Sequence, residues 1–162
     1  MAADTFARIG DIQGESLDAK HKGEIEVQAW SWGVSQSSSI IPGAGGGAGT
    51  GKAAFQDFQF THSMDKASPN LLKACATGQH IQDATITIRK AGGGQQEYLI
   101  IKMTDVVITN VQPNSPGGSS ALVEHVGLQF AKVDLEYKPQ RSDGSLDEGL
   151  HFKFDLQGNK VG

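Results

Sequence analysis

Apolar and polar residues alternate with a period of two through most of this chain, and the alternation changes phase inside its longest runs. Phe6, Ile9 and Ile12 mark a first short strand over Thr5 to Ile12. Ile25, Val27 and Ala29 then alternate with Glu24, Glu26 and Gln28, the pattern of a half-buried strand. At Trp30 the phase flips: Trp30, Trp32 and Val34 take the other parity, opposite the small residues Ala29, Ser31, Gly33 and Ser35. Such a flip predicts a bulge, a bend or burial on both sides. Phe58, Phe60 and His62 form the next alternating run. Ala84, Ile86 and Ile88 begin another. The long run Glu97 to Val111 buries Leu99, Ile101 and Met103 and then Val106 and Ile108, so it bends near Asp105. Ala121 to Tyr137 behaves alike, with Val126, Leu128 and Phe130 followed by Ala131, Val133, Leu135 and Tyr137. Leu150, Phe152, Phe154 and Leu156 make a last strand.

One segment has a helical period. Leu71, Leu72 and Cys75 form a short apolar stripe, with Ser68 as N-cap, Pro69 at the first helical position and Gly78 as the stop. There is room for little more than two turns, so this helix caps or plugs a sheet. Asn114 to Ser120 is a loop, and Pro139 to Gly149 is a polar turn region. Several strands that change face midway are what a small barrel or a strongly bent sandwich requires. The expected fold is mainly β, a compact β-barrel of two sheets with one short α-helix. Apolar residues on both faces of several strands further suggest that part of the outer surface is covered by a partner subunit.

Composition narrows the functional classes. With 162 residues the chain reads as one domain, residues 1–162, able to bury one core. Its net charge is −4 and it has no basic block, which argues against nucleic acid as a partner. No apolar run is long enough for a membrane span, so no membrane insertion is expected. The first residues carry no apolar signal segment; assembly in the cytoplasm is expected, with any secretion following another route. The single cysteine, Cys75, forms no internal disulfide and reads as a small hydrophobe on the helix.

Candidate chemistry is sparse. Gly46, Gly51 and Lys52 nearly spell a phosphate-binding loop, and nucleotide binding is the alternative reading of the chain. The motif fails twice. Ala53 stands where a hydroxyl would hold magnesium, and the following Phe58-x-Phe60-x-His62 has a strand period where the motif needs a helix. The five histidines show no metal-ligand spacing. His62 and His125 read as hydrogen-bonded structural histidines, Glu24 and Glu26 as a solvated or ion-pairing edge, and Trp30 and Trp32 as structural residues of the core. No cofactor, metal or catalytic residue is expected, and the chain does not read as an enzyme.

Trp30-Ser-Trp-Gly-Val-Ser-Gln36 resembles the signature of haemolysin-coregulated protein, Hcp, the tube subunit of type VI secretion. Ile9-Gly-Asp-Ile-Gln-Gly-Glu-Ser16, Ser68-Pro-Asn-Leu71, Ala84-Thr-Ile-Thr-Ile-Arg-Lys90, Glu97-Tyr-Leu-Ile-Ile101 and Tyr137-Lys-Pro-Gln140 are similar too, in order along nearly the whole chain. The resemblance implies a hexameric ring, a homohexamer whose rings stack into a hollow tube. It also implies export with that tube, a lumen that binds or chaperones effector proteins, and the spike protein, contractile sheath and baseplate as further partners. By matching position, Ser31 would face the lumen. The Gly-rich loop at about 41–52, with Gly43, Gly46, Gly49, Gly51 and Lys52, would project from the ring and meet the next one. The loop at about 113–120 would be variable.

Overall fold

A computed structural model describes residues 3–37, 53–90, 94–118 and 120–162. Its elements in chain order are β1 (Ala3–Ile9), β2 (Ile25–Val27), β3 (Ala29–Ser31), β4 (Val34–Gln36), β5 (Ala53–Phe55), β6 (Phe58–Ser63), α1 (Ser68–Thr77), β7 (His80–Lys90), β8 (Glu97–Asn114), β9 (Val123–Tyr137), β10 (Leu150–Asp155) and β11 (Lys160–Val161). The mainly β expectation holds, with one short helix among the described residues.

The principal sheet is antiparallel in the order β11–β10–β9–β8–β7–β1–β2. β6 joins it sideways, pairing with the N-terminal half of β9 on one side and with β3 on the other. β2 and β3 are consecutive segments of one run, broken at Gln28, whose N–H donates to the Thr61 carbonyl of β6 at 2.8 Å. The pairing path therefore leaves β6 through β9, β8, β7, β1 and β2 and returns to β6 through β3. The phase flip seen at Trp30 is this hand-over: the run leaves β1 as β2 and meets β6 as β3. β4 and β5 form a separate two-stranded ribbon.

The bends in β8 and β9 are where the alternation placed them. Ile101 and Met103 are buried, then Val106 and Ile108, and the switch falls at Asp105, which has φ 57°. Opposite it β9 switches from Val126, Leu128 and Phe130 to Val133. A second irregularity, between Ile108 and Asn110, inserts Thr109 as an extra residue opposite β9. Each device keeps apolar side chains turned inward while the ribbon changes direction.

Four sequence expectations change. The first strand begins at Ala3 and ends at Ile9, followed by a turn at Gly10 with φ 53°. Ser68 lies inside α1, and the residue at the N-cap position, Ala67, makes no side-chain cap. Asp65 does that work, accepting the Ala67 N–H at 2.8 Å, while Ser68 Oγ accepts from the Asp65 N–H. The buried stripe of α1 is Ser68, Leu71 and Ala74, with Leu72 outside, because the helix packs against β8 through that row. Gly78 does end the helix in the left-handed region, at φ 63°. The tryptophans are less central than expected. Trp30 is 36% exposed and Trp32 is half-buried.

The segment between β1 and β2 folds against itself. Gly14 N–H donates to Gly23 O at 2.7 Å, and Ser16 N–H to Glu24 O at 3.0 Å. A Cβ on Gly14 would lie 2.5 Å from the Glu24 carbonyl oxygen and 2.9 Å from the Ile25 Cα, so two backbones meet where only glycine fits. Gly14→Ala is expected to cost about 2 kcal/mol or more through overpacking. Gly78→Ala, with open space around it but a left-handed backbone, should cost about 1 kcal/mol. Urea unfolding of the two variants checks the order; a Gly14→Ala loss no larger than that of Gly78→Ala would show that the close approach relaxes freely.

Candidate functional site

Among the described residues no group of three or more histidine, cysteine, aspartate or glutamate side chains could hold a metal, and the histidine–carboxylate pairs have other uses. The candidate site is a surface. Across β3, β6, β9 and the C-terminal half of β8 the register lines up Ser31, Gln59, Gly127 and Asn110, and beside them Ala29, Thr61, His125 and Gln112. None of these carries a formal charge at neutral pH. Apart from half-buried Thr61 and buried Gly127, all are exposed. Thr61 Oγ1 and His125 Nδ1 are hydrogen-bonded at 3.2 Å across two strands. Gly127 lies opposite the extra residue of β8: a Cβ there would be 3.0 Å from Thr109 Oγ1, itself donating to Asp57 at 2.8 Å.

The two sides of this face are open. β7 begins at His80, opposite Val107, so among the described residues 108–114 of β8 pair only with β9, and β3 pairs only with β6. A strand edge with free N–H and C=O groups invites another strand.

Behind the face Phe58, Phe60, His62, Glu124, Val126 and Leu128 are buried and hold it in place. Trp30 stacks on Phe58 with ring centroids 5.6 Å apart. Trp32 lies among Phe55, Phe130 and Phe152, with centroids at 6.1, 5.9 and 6.5 Å, and so ties the β4–β5 ribbon to β9 and β10. His62 and Glu124, adjacent on β6 and β9, are both fully buried, with Nε2 and Oε1 2.8 Å apart. His62 Nδ1 and Glu124 Oε2 have no further partner among the described residues, the nearest acid being Asp65 at 4.0 Å from Nδ1. Burial pushes the Asp65 carboxyl above the ordinary aspartate value. With no exposure at either member, this pair cannot reach a substrate; it is structural.

A second polar assembly clamps the β1–β2 segment. The Arg89 guanidinium, nearly buried, reaches both carboxylate oxygens of Asp18, at 3.0 Å for Nη1 and Oδ1, and also Asp4. It also lies over Phe6, 4.9 Å from the ring centroid, and Phe6 stacks on His21 at 4.5 Å. His21 places Nδ1 2.7 Å from Glu24 and Nε2 2.7 Å from Glu97. Hydrogen bonding to Arg89, above all, lowers the Asp18 carboxyl to about 2. The buried second face of β7, at Thr87 and Arg89, is thus covered in part by this chain's own Asp18.

Ser31 is exposed on the neutral face. Trp30 and Trp32 support it from behind. Gly43, Gly46, Gly49, Gly51 and Lys52 lie outside the described residues, as does the loop at 41–52. Strand β5 begins at Ala53, directly after Lys52, where a phosphate-binding loop would need a helix. Reasoning from sequence missed Glu124, Arg89 and Asp18. Glu124 had a signal: it shares the parity of Val126, Leu128 and Phe130, and a carboxylate on an apolar face asks for a buried partner.

A family model described as type VI secretion system effector, Hcp, matches residues 6–137. Protein hcp1 of Pseudomonas aeruginosa is 51% identical over 150 residues, covering 92% of this chain and 91% of that protein. Among solved structures, one described as a type six secretion system protein has a TM-score of 0.91 at 31% identity, covering 99% of this chain and all of the other. Hcp1 from Salmonella typhimurium follows at 0.77 and 36% identity, with 99% of each chain covered.

Both polar assemblies can be tested by substitution. Replacing one member alone, His62→Leu or Glu124→Met, is expected to cost about 3–5 kcal/mol, whereas the double replacement should be near neutral. Urea unfolding of the three variants decides it, and a double variant no better than the singles would refute the pairing. For Asp18 the folded value lies below the ordinary 3.8, so its contribution is full above about pH 4 and is lost as the pH falls towards 2. Asp18→Asn should therefore be less stable at pH 6 and lose less stability than the parent between about pH 4 and 2.

Proposed function

Because this chain belongs to the Hcp family of type VI secretion proteins, we propose that it is the structural subunit of the secretion tube. Six copies close into a ring, rings stack into a hollow tube, and the lumen holds effector proteins that leave with it. The observation that carries this reading is the neutral polar face of β3, β6, β9 and β8 with an open edge on each side. A ring of identical subunits needs two different, complementary contacts on each copy, since every contact is head-to-tail. Two unlike edges, β3 and residues 108–114 of β8, supply such a pair, and joining them would line the inside of a ring with Ser31, Gln59, Asn110 and their neighbours. An uncharged hydrogen-bonding wall suits cargo that must be held and then released, because it offers no fixed charge to trap one sequence or repel another.

In this reading the chain is not an enzyme and takes no cofactor. The spike protein, sheath and baseplate are its other partners. It assembles in the cytoplasm and ends outside the cell or in a target cell. The glycine-rich segment with Gly43, Gly46, Gly49, Gly51 and Lys52, carried on the β4–β5 ribbon, makes the contact between rings.

Light scattering after size exclusion, followed by negative-stain microscopy, is expected to show rings; a strict monomer at every concentration would overturn the proposal. Ser31→Lys should leave the rings intact and weaken capture of a co-expressed small effector by about tenfold, through the cost of a fixed charge in the wall. Replacing residues 41–52 with a tight turn should preserve rings but reduce their stacking. Unchanged stacking would make that segment a spacer.

A further inference from the structure

His125 stands apart from the other histidines of the chain. Each of those has a carboxylate against its ring: His21 has Glu24 and Glu97 at 2.7 Å, His62 has Glu124 at 2.8 Å, His80 has Asp105 at 3.2 Å and His151 has Asp134 at 2.8 Å. His125 forms no ion pair among the described residues, and its Nδ1 meets a neutral hydroxyl, Thr61 Oγ1, at 3.2 Å. It is exposed, in the middle of the neutral face of β3, β6, β9 and β8.

Its neighbours carry no charge. On β6 it stands opposite Thr61, with Ala29 of β3 beyond, and on β8 opposite Gln112; the adjoining row is Ser31, Gln59, Gly127 and Asn110. Glu124, next to it on β9, is turned into the core with no exposure and is taken up by His62. Asp57, just before β6, accepts the Thr109 hydroxyl at 2.8 Å. His125 is therefore the one titratable side chain in these two rows. Histidine is also the side chain that ordinarily changes charge between about pH 5 and 8. Thr61 suits either state, because a hydroxyl donates to a neutral ring nitrogen and accepts from a protonated one. Protonation thus changes the charge of the face without breaking its hydrogen bond, whereas a histidine beside a carboxylate has its charge compensated on the spot.

We propose that His125 determines cargo specificity on this face, turning the wall from neutral to cationic as the pH falls and so favouring acidic cargo in the protonated state. The inference rests on the reading of the face as the inner wall of a ring. There every copy adds one imidazolium to a shared concavity, and like charges drawn together in a cavity raise the local potential and favour an anionic occupant. At higher pH the same wall is uncharged and acidic cargo loses that hold. Cationic cargo responds in the opposite sense.

The test uses the full chain as rings, checked by light scattering at each pH, and two tetramethylrhodamine-labelled peptides read by anisotropy, Asp-Gly-Ser repeated four times and Lys-Gly-Ser repeated four times. At about 50 mM NaCl, where exposed charges are weakly screened, the acidic peptide is expected to bind about fivefold or more tightly at about pH 5.5 than at about pH 8, and the basic one less tightly. His125→Gln, which keeps a hydrogen-bonding side chain but cannot titrate, should lose this response. His125→Lys should bind the acidic peptide at about pH 8 as the parent does at about pH 5.5. His80→Gln, outside the face, should respond as the parent does, and thermal melting confirms that each variant is folded. Rings that hold the acidic peptide equally at both pH values, or not at all, overturn this inference and leave the tube reading standing. So do a response that survives in His125→Gln, an equal loss in His80→Gln, which would mean an undirected surface effect, and rings that come apart at the lower pH. A chain that stays monomeric throughout overturns the tube reading and this inference together.

Discussion

The ribbon formed by β8 and β9, 18 and 15 residues long, must serve two parts of the molecule that lie in different directions. Its lower half carries β10 and β11; its upper half carries β6. A flat ribbon with strict alternation would bury its apolar residues on one side throughout and could not serve both. The left-handed Asp105, with the matching change of parity in β9, lets the strands turn while Ile101, Met103, Val106 and Ile108 all remain inside. Such a backbone costs on the order of 1–3 kcal/mol in an aspartate, and it persists because the packing on both halves over-determines it.

That bend also sorts the charges. Where β6 joins, the outward row is neutral and the His62–Glu124 pair is turned inward and hydrogen-bonded within the chain. Where β10 and β11 join, the outward row is charged, with Lys102, Lys132, Lys153, Asp134 and Asp155 alternating across the strands. One ribbon thus presents two surfaces of opposite character. The Arg89–Asp18 clamp sits at the other end of the sheet, closing the second face of β7 with the chain's own segment.

Much of this was legible in the residues. The period-two runs placed nearly every long strand, and the phase changes near Asp105, Ala131 and Trp30 were real bends or hand-overs. Local rules failed where a distant partner decided. Ser68 has every attribute of an N-cap, yet it lies inside α1, and the Asp65 carboxylate accepts the Ala67 N–H before it. Leu72 belongs to the right periodicity for the helix but to the wrong side of β8. The neutral face was visible only at Ser31, since Gln59, Asn110 and His125 lie 28, 79 and 94 positions further along the chain, and only the register brings them side by side. The clamp of Arg89 on Asp18 is likewise a pairing across 71 positions that no local pattern announces.

The order in which the chain is made meets this topology awkwardly. β1 waits for β7, and β6 waits for β9, before either has its neighbours. During synthesis Phe58, Phe60 and Trp30 therefore emerge long before the strand that covers them, and closing those long loops is the slow part of folding. The β4–β5 ribbon and the helix are local and can form early. Until the ribosome has delivered β9, which ends at Tyr137, the core face of β6 lacks its neighbouring strand, and the nascent protein's need for protection lasts until then.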